Sequence, residues 1–443
     1  MATTFSGNAA IYTIGCRLNQ ADSSLVCDRL TRDGWNIVEM ESGSELNLII
    51  INSCSVTGTA SQKSRQAARK FRRLNPSACI VITGCSAEIE NEFWAAEDSV
   101  DIVLANPQKK ELADHVRTFF EDQRQTSGML KFSSNEPPDV FMENAESSFP
   151  FKSRAFLKIQ EGCNNFCSYC IVPYTRGRER SRAWDEVIAD FKHQLDAGFQ
   201  EIVLAGVNVC AYNDHGRRLP DLLKALTGFE GKFRIRLSST EPHPDNMELL
   251  AVMAGNPKIC RFLHLSLQHG TDEILHAMNR KYTTAEYADF VRAARSMIPG
   301  IHLGTDIIVG FPGETDELFQ QECEFVRQMA FANVHIFTFS PRKGTPAATL
   351  PDHVKPETAK QRYKQLMEIT DASAAEFIKS QLHQKLNVIF ESRDKQGRFT
   401  GWSDNYVSVR CGAAGIVPHE LTEVIASGSI PGGIEAELPG SAT

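Results

Sequence analysis

The chain has 443 residues, 42% hydrophobic and 23% charged, ordinary proportions for a globular protein of about three domains. No run approaches the roughly 18 apolar residues that span a membrane, and Met1 to Ala10 has neither a basic start nor an apolar core, so a cytoplasmic protein without leader or anchor is expected. The net charge of −8 excludes a protein that holds nucleic acid by its overall field; an RNA partner would need a local positive surface.

The first block, to about residue 125, alternates strand and helix patterns. Ala10 to Ile14, Asn47 to Asn52 and Ala78 to Thr83 read as strands, each followed by a helical stretch, which predicts a small parallel α/β sheet. Twelve cysteines in such a chain point to metal binding or catalysis more than to disulfides. Cys27 and Cys79 fall inside a helix and a strand, as small hydrophobes do. Cys16, Cys54 and Cys85 fall instead in Gly/Ser/Asn-flanked turns just after the three strands. The carboxyl ends of strands in an open α/β sheet form one edge, so three thiols far apart in sequence can converge there on a second metal site.

Between them, Arg65, Arg69, Arg72 and Arg73 fall within roughly one quadrant of a helix at about 100° per residue. Such a run is either a solvated face or, since its own stretch holds no acid to pair with, a patch for phosphates. From Asp122 to Pro150 the composition shifts to Ser, Asn, Glu, Pro and Gln, which reads as a linker and lead-in over 126–150.

Strand-like runs then recur with helices between them: 155–159, 201–205, 233–237, 262–267, 303–309 and 334–339. Six such units over 151–382 predict a partial (βα)6 barrel with its active site at the carboxyl ends of the strands. The first run leads into Gly162-Cys163-Asn164-Asn165-Phe166-Cys167-Ser168-Tyr169-Cys170. A closed zinc site wants a fourth protein ligand nearby, whereas the next candidates are His193 and Cys210. Cys163, Cys167 and Cys170 suit instead three irons of a [4Fe–4S] cube, leaving the fourth iron open. S-adenosylmethionine can chelate that iron through its amine and carboxylate and be cleaved there by one electron. The Tyr169 ring could stack on the adenine, or simply pack the loop.

This segment resembles the cluster loop of radical S-adenosylmethionine enzymes. Its continuation, Ile171-Val172-Pro173-Tyr174-Thr175-Arg176-Gly177-Arg178-Glu179-Arg180-Ser181-Arg182, is similar to that of the methylthiotransferase family. Members put a methylthio group on a tRNA adenosine or, in one branch, on a ribosomal-protein aspartate. The resemblance implies an auxiliary [4Fe–4S] cluster on Cys16, Cys54 and Cys85, hence two clusters in all. It further implies a backbone contact to the cofactor amine at Gly206, a one-electron donor such as flavodoxin or ferredoxin, and a monomeric enzyme meeting the anticodon loop of tRNA. Ser238, Gln268 and Asp306 also lie at strand ends, where cofactor contact and simple rim polarity are both open. The Gly310-Phe311-Pro312-Gly313-Glu314-Thr315 run is again similar to the family's own. Arg176, Arg178, Arg180 and Arg182 alternate, and an extended loop would set them in one guanidinium row suited to phosphate or carboxylate.

The motifs around Cys16, Cys54 and Cys163 resemble most closely the branch acting on N6-threonylcarbamoyladenosine at position 37 of tRNA. The branch acting on isopentenyladenosine shares the arginine run, and the ribosomal-protein branch lacks it. A threonylcarbamoyl group carries a carboxylate that the arginine row could meet. After a long helix from Pro356 to His383 the periodicity switches to two, predicting a small antiparallel β domain over 383–443. It looks like a short RNA-binding TRAM barrel, weakly basic, with an acidic Gly/Pro-rich tail from Ile430. The predicted fold class is therefore α/β, with an N-terminal parallel α/β domain over 1–125, the central barrel and the C-terminal β domain.

Overall fold

The computed structural model describes residues 7–55, 58–121, 131–132, 153–241 and 246–440. Apart from a two-residue strand, the expected linker over 126–150 lies outside the described residues. The chain divides into two compact units. One is Met1–Asn164 with Cys170–His193 and Ala205–Val207; the other is Asn165–Tyr169 with Gln194–Leu204 and Asn208–Thr443.

The first unit opens with β1 (Asn8–Thr13), α1 (Arg17–Arg32), β2 (Asn36–Ile37), β3 (Leu48–Ser53), α2 (Gly58–Leu74) and β4 (Cys79–Gly84). It continues through α3 (Cys85–Ile89), α4 (Asn91–Ala95), β5 (Ile102–Leu104), α5 (Leu112–Glu121) and β6 (Lys131–Phe132). The six strands form one all-parallel sheet in the order β2-β1-β3-β4-β5-β6. Every residue of β3 and β4 is buried, as strands covered on both faces must be. Ile49, Ile51, Ile80 and Ile82 pack toward Ala67, Ala68 and Phe71 of α2. Leu48, Ile50, Cys79 and Val81 pack on the other face toward Val26 and Leu30 of α1 and Val116 of α5. The chain reverses direction across the sheet between β1 and β3, the switch point where open α/β sheets bind ligands. The same unit holds β7 (Ala155–Lys158), against which α1 packs, and β8 (Gln160–Glu161), α6 (Val172–Arg176) and β9 (Arg180–Ser181). β8 and β9 pair antiparallel, with Glu161 opposite Arg180.

The chain continues through α7 (Trp184–Asp196), β10 (Glu201–Ala205), β11 (Asn213–Asp214), β12 (Arg217–Arg218), α8 (Leu219–Thr227), β13 (Arg234–Leu237) and β14 (Ser239–Thr240). Then follow α9 (Met247–Ala254), β15 (Phe262–Leu265), α10 (Asp272–Ala277), α11 (Thr284–Met297), β16 (His302–Val309), α12 (Asp316–Met329), β17 (Asn333–Thr338) and α13 (Pro356–Ser380). All six expected barrel strands are present. β14, which the sequence does not announce, starts a second parallel sheet, β14-β15-β16-β17, while β13 pairs with β10. Thr305 and Tyr287 show which way this sheet faces: their hydroxyls both bond Leu265 O beneath α11. Residues at the other parity of β16, including Asp306 and Ile308, therefore point to the inner face.

The chain ends in β18 (Lys385–Arg393), β19 (Phe399–Ser403), β20 (Ser408–Cys411), β21 (Leu421–Ile430) and β22 (Gly433–Glu437), a closed barrel in the order β18-β19-β20-β22-β21. Two expectations need correction. The pair β20–β22 is parallel, so the domain is not purely antiparallel. The segment from Ile430 is not a mere tail, because β22 closes the barrel with Ile434 and Ala436 buried. Gly433 permits this closure, since a Cβ there would meet Ser408 O at 2.4 Å. The barrel sits against the amino-terminal ends of β10 and β13. Glu201 bonds both Arg234 and Arg236, whose remaining N–H groups donate to the carbonyls of Asn387, Trp402, Ser403 and Asp404.

Candidate functional site

The three turns carrying Cys16, Cys54 and Cys85 follow β1, β3 and β4, which are direct neighbours in the sheet. Their loops touch. A Cβ on Gly15 would meet Cys54 Sγ at 2.9 Å, and one on Gly84 would meet Ser53 O at 2.3 Å. Both glycines have positive φ, +108° and +94°, a backbone state that other residues enter at a cost. Asn19 Nδ2 ties the first two turns together, donating to Ile14 O at 2.7 Å and Ser53 O at 3.0 Å. The three cysteines thus lie at the carboxyl ends of three neighbouring strands, next to the switch point between β1 and β3. The donor set is all sulfur, which fits an iron–sulfur cluster better than a hard cation.

Arg176 faces this edge. Burial by itself would pull the guanidinium down, but the charges of Asp22, Cys85, Glu161 and Cys16 outweigh it and hold Arg176 well above the usual arginine range. Arg176 bonds Asn19 Oδ1 at 2.7 Å, Asp22 Oδ2 at 2.9 Å and Glu161 Oε1 at 2.7 Å. Lys109 and Lys158 reach the same Asp22 carboxylate at 2.7 and 2.9 Å. Burial would raise the Asp22 carboxyl; the three cations reverse that and keep it well below the ordinary value.

This geometry overturns the guanidinium row. The run is not one extended strand: Arg176 ends α6, and three of the four side chains face inward. Arg176, Arg180 and Arg182 are 3%, 9% and 3% exposed. Arg180 lies against Glu161, and Arg182 bonds Asp190 at 2.7 Å. Of the four, Arg178 alone is exposed. The β8–β9 ladder sets Arg180 opposite Glu161, while Arg176 and Arg182 meet buried carboxylates of α1, β8 and α7.

The three-thiol loop is shaped locally. Gly162 has φ +73°, and a Cβ there would lie 1.9 Å from Arg178 O, so a side chain is excluded. Cys163 N donates to Gly177 O at 3.1 Å. Around Cys167, the 277–280 segment forms a cradle. Ser168 bonds the carbonyls of Met278 and Ala277, and Asn279 Nδ2 reaches the carbonyls of Asn165 and Phe166. Arg280 Nη1 lies 3.2 Å from Cys167 Sγ, and its other nitrogens bond Glu241 and Tyr282. Sequence reasoning missed Arg280, because its role depends on a partner 113 residues away. An N–H donor on a cysteine sulfur suits a thiolate that ligates iron.

Tyr169 packs against an apolar cluster containing Ile274, Met278, Ile308, Phe311, Leu318 and Ala347. Gly206 lies under Gln160, where a Cβ would meet Oε1 at 3.0 Å, a tight approach. Ser238 is buried where the chain passes from β13 to β14. Gln268 holds a left-handed φ of +75° while its backbone bonds Asp306 O and Ile308 N, a strained position at a strand end. Asp306 sits between His264 Nε2 at 3.0 Å and His335 Nδ1 at 3.1 Å. Burial raises its carboxyl, and the two imidazole hydrogen bonds then lower it beyond the normal carboxylate range.

The patch predicted on α2 is mostly paired. Arg65 bonds Glu90 and Arg69 bonds Glu97, each at 2.7 Å, and Arg72 bonds Asp101. The acids come from outside the helix, which the local reading could not see. Arg73 stays exposed, on one face with exposed Lys63 and Lys70.

The radical SAM superfamily pattern matches residues 157–326, and that of the uncharacterized protein family UPF0004 matches residues 8–105. The threonylcarbamoyladenosine tRNA methylthiotransferase MtaB of Bacillus subtilis is 34% identical over 407 residues, 90% of this chain and 89% of that protein. The chain belongs to the radical S-adenosylmethionine methylthiotransferase family. The tRNA-2-methylthio-N(6)-dimethylallyladenosine synthase of Thermodesulfovibrio yellowstonii is 33% identical, covering 88% of this chain and 89% of its own. Among solved structures, the radical S-adenosylmethionine methyltransferase TsrM from Kitasatospora setae, with cobalamin and a [4Fe–4S] cluster bound, superposes with a TM-score of 0.57. It is 15% identical and covers 78% of this chain and 77% of that one, a likeness of fold. An enzyme of this family works with S-adenosylmethionine and iron–sulfur chemistry.

Proposed function

We propose that this methylthiotransferase acts on tRNA, replacing the C2 hydrogen of N6-threonylcarbamoyladenosine with a methylthio group. Cys163, Cys167 and Cys170 hold the cluster that binds S-adenosylmethionine, and Cys16, Cys54 and Cys85 hold the auxiliary cluster. The observation that carries the reading is the meeting of the Cys16, Cys54 and Cys85 turns at one sheet edge, beside the buried Arg176. When bound, the first cluster and S-adenosylmethionine would supply the one-electron chemistry that removes the C2 hydrogen, which leaves as 5′-deoxyadenosine, the auxiliary cluster would supply the sulfur, and a second S-adenosylmethionine the methyl group. The chain's own part is to fix both thiol triplets, to keep water from the chemistry and to place the base. A one-electron donor such as flavodoxin or ferredoxin drives the cycle, and the enzyme acts as a monomer.

The choice of nucleoside is supported by the motif resemblance and by four MtaB relatives at 33–35% identity. Relatives named for dimethylallyladenosine are 32–34% identical, so the alternative is a specific one. The test is expression in a host stripped of its own tRNA methylthiotransferases, followed by mass spectrometry of tRNA nucleosides. Methylthiolated threonylcarbamoyladenosine is the expected product. Appearance of the methylthiolated isopentenyl nucleoside alone would move the enzyme to the other branch.

A further inference from the structure

The inner face of the second-unit sheet carries a chain of polar side chains that the proposed chemistry does not use. Asn333 Nδ2 lies 3.1 Å from His335 Nε2, His335 Nδ1 lies 3.1 Å from Asp306 Oδ1, and His264 Nε2 lies 3.0 Å from Asp306 Oδ2. These residues come from three adjacent parallel strands, and Asp306 stands directly opposite His335 in the ladder. The chain runs from inside to outside. His264 is 12% exposed, Asp306 26% and His335 56%. Each carboxylate oxygen accepts from one imidazole, so Asp306 fixes the ring of His335 and backs it with negative charge. With Nδ1–H donating to Asp306, His335 Nε2 accepts from Asn333 Nδ2, and the second Nδ2 hydrogen of Asn333 is the donor left at the edge of the row.

The row's position along the strands matters. Ile308 and Phe337 lie two residues beyond Asp306 and His335 on the same face, about 7 Å toward the carboxyl edge. Both belong to the apolar cluster around Tyr169 of the three-thiol loop. A base seated against that cluster would have the substituent on its N6 within reach of the row.

We infer that His335, held by Asp306 and flanked by Asn333, is the subsite that takes the carboxylate of the threonylcarbamoyl group. The inference rests on the proposed choice of nucleoside and supplies what the arginines do not. Arg176, Arg180 and Arg182 are spent on buried acids and do not form the row that would meet a substrate carboxylate. A substrate carboxylate can take the second Nδ2 hydrogen of Asn333 and, with the His335 ring doubly protonated, displace that amide from Nε2 in a charge-assisted hydrogen bond. An isopentenyl group would offer these N–H groups nothing and leave them poorly solvated.

The test uses the anaerobically reconstituted enzyme and anticodon hairpins bearing either threonylcarbamoyladenosine or its carboxamide analogue. Wild type is expected to prefer the acid by about 10- to 100-fold in kcat/KM, the worth of one charge-assisted hydrogen bond. His335→Phe should raise KM for the acid by a similar factor, hold kcat within a few-fold and erase the preference. Asp306→Asn should lower the preference without erasing it. A His335→Phe enzyme that keeps the acid-over-amide ratio overturns the subsite while leaving the choice of nucleoside intact. A wild type that ignores both hairpins and modifies an isopentenyladenosine hairpin overturns the nucleoside and the subsite together.

Discussion

Arg176 Nη2 lies 2.9 Å from Asp22 Oδ2, although the two residues are 154 positions apart, and both side chains are almost wholly buried. Their pairing binds the helix that follows Cys16 to the loop that follows Cys170. It places a permanent cation at the edge where Cys16 and Cys85 sit.

Removing the acid should therefore cost more than a surface ion pair would. Asp22→Asn leaves Lys109, Lys158 and Arg176 without their shared counter-charge, a loss of about 3–5 kcal/mol for a buried network. The Asp22 carboxyl is lowered in the folded state, so its contribution is present above the unfolded carboxylate pKa, about 3.9. It fades as pH falls through the lower, folded value. Thermal unfolding should show wild type well above the variant at pH 7 and the two converging in strong acid.

Arg280 should tune the electron-accepting cluster. Arg280→Gln removes a cation and an N–H donor from Cys167 Sγ, which destabilises the reduced, more negative state. A redox titration followed by electron paramagnetic resonance should place the cluster potential lower in the variant than in wild type. An unchanged potential would make Arg280 a purely structural brace of the loop.

Glu322 offers a pH signature of the opposite sign. Its carboxyl is fully buried, raised first by burial and then by the Glu314 charge, and it faces His269 Nε2 at 3.5 Å. As pH rises above the unfolded value of about 4.3, the unfolded chain releases a proton that the folded one keeps, so this group erodes stability. Glu322→Gln removes the effect. Its stability, read as the melting temperature, should gain on that of wild type progressively as pH rises above about 4.3, until the folded Glu322 carboxyl itself ionises.

The exposed stripe on α2 should contribute to RNA affinity where the paired arginines do not. Replacing Lys63, Lys70 and Arg73 with Ala should weaken tRNA binding and flatten its dependence on log salt by about 2–3 units. Arg69→Ala, which breaks an ion pair with Glu97, should change that slope little.

What the sequence disclosed and what it withheld follow the range of the interactions. Cys16, Cys54 and Cys85 could be placed at one edge because strand period and Gly/Ser turns are local signals, and the order of β1, β3 and β4 follows from parallel α/β wiring. The spacing of Arg176, Arg178, Arg180 and Arg182 is equally legible, but neither the α6 turn that ends at Arg176 nor the direction of the side chains is. Asp22, Glu161 and Asp190 decide that, and only the folded chain brings them together. The pairing of α2 with Glu90, Glu97 and Asp101 was hidden for the same reason. β22 was read as tail because Pro431-Gly432-Gly433 suggests a loop, whereas Gly433 is small so that the closing strand can approach Ser408.

The measurement that bears most directly on the account is iron and sulfide content, with Mössbauer spectra, of the anaerobically reconstituted protein and its Cys16→Ala/Cys54→Ala/Cys85→Ala variant. Two cubes predict about eight irons per wild-type chain and about four in the variant, which should still cleave S-adenosylmethionine under a strong reductant. A wild type that saturates near four irons, or a variant that keeps eight, would contradict it.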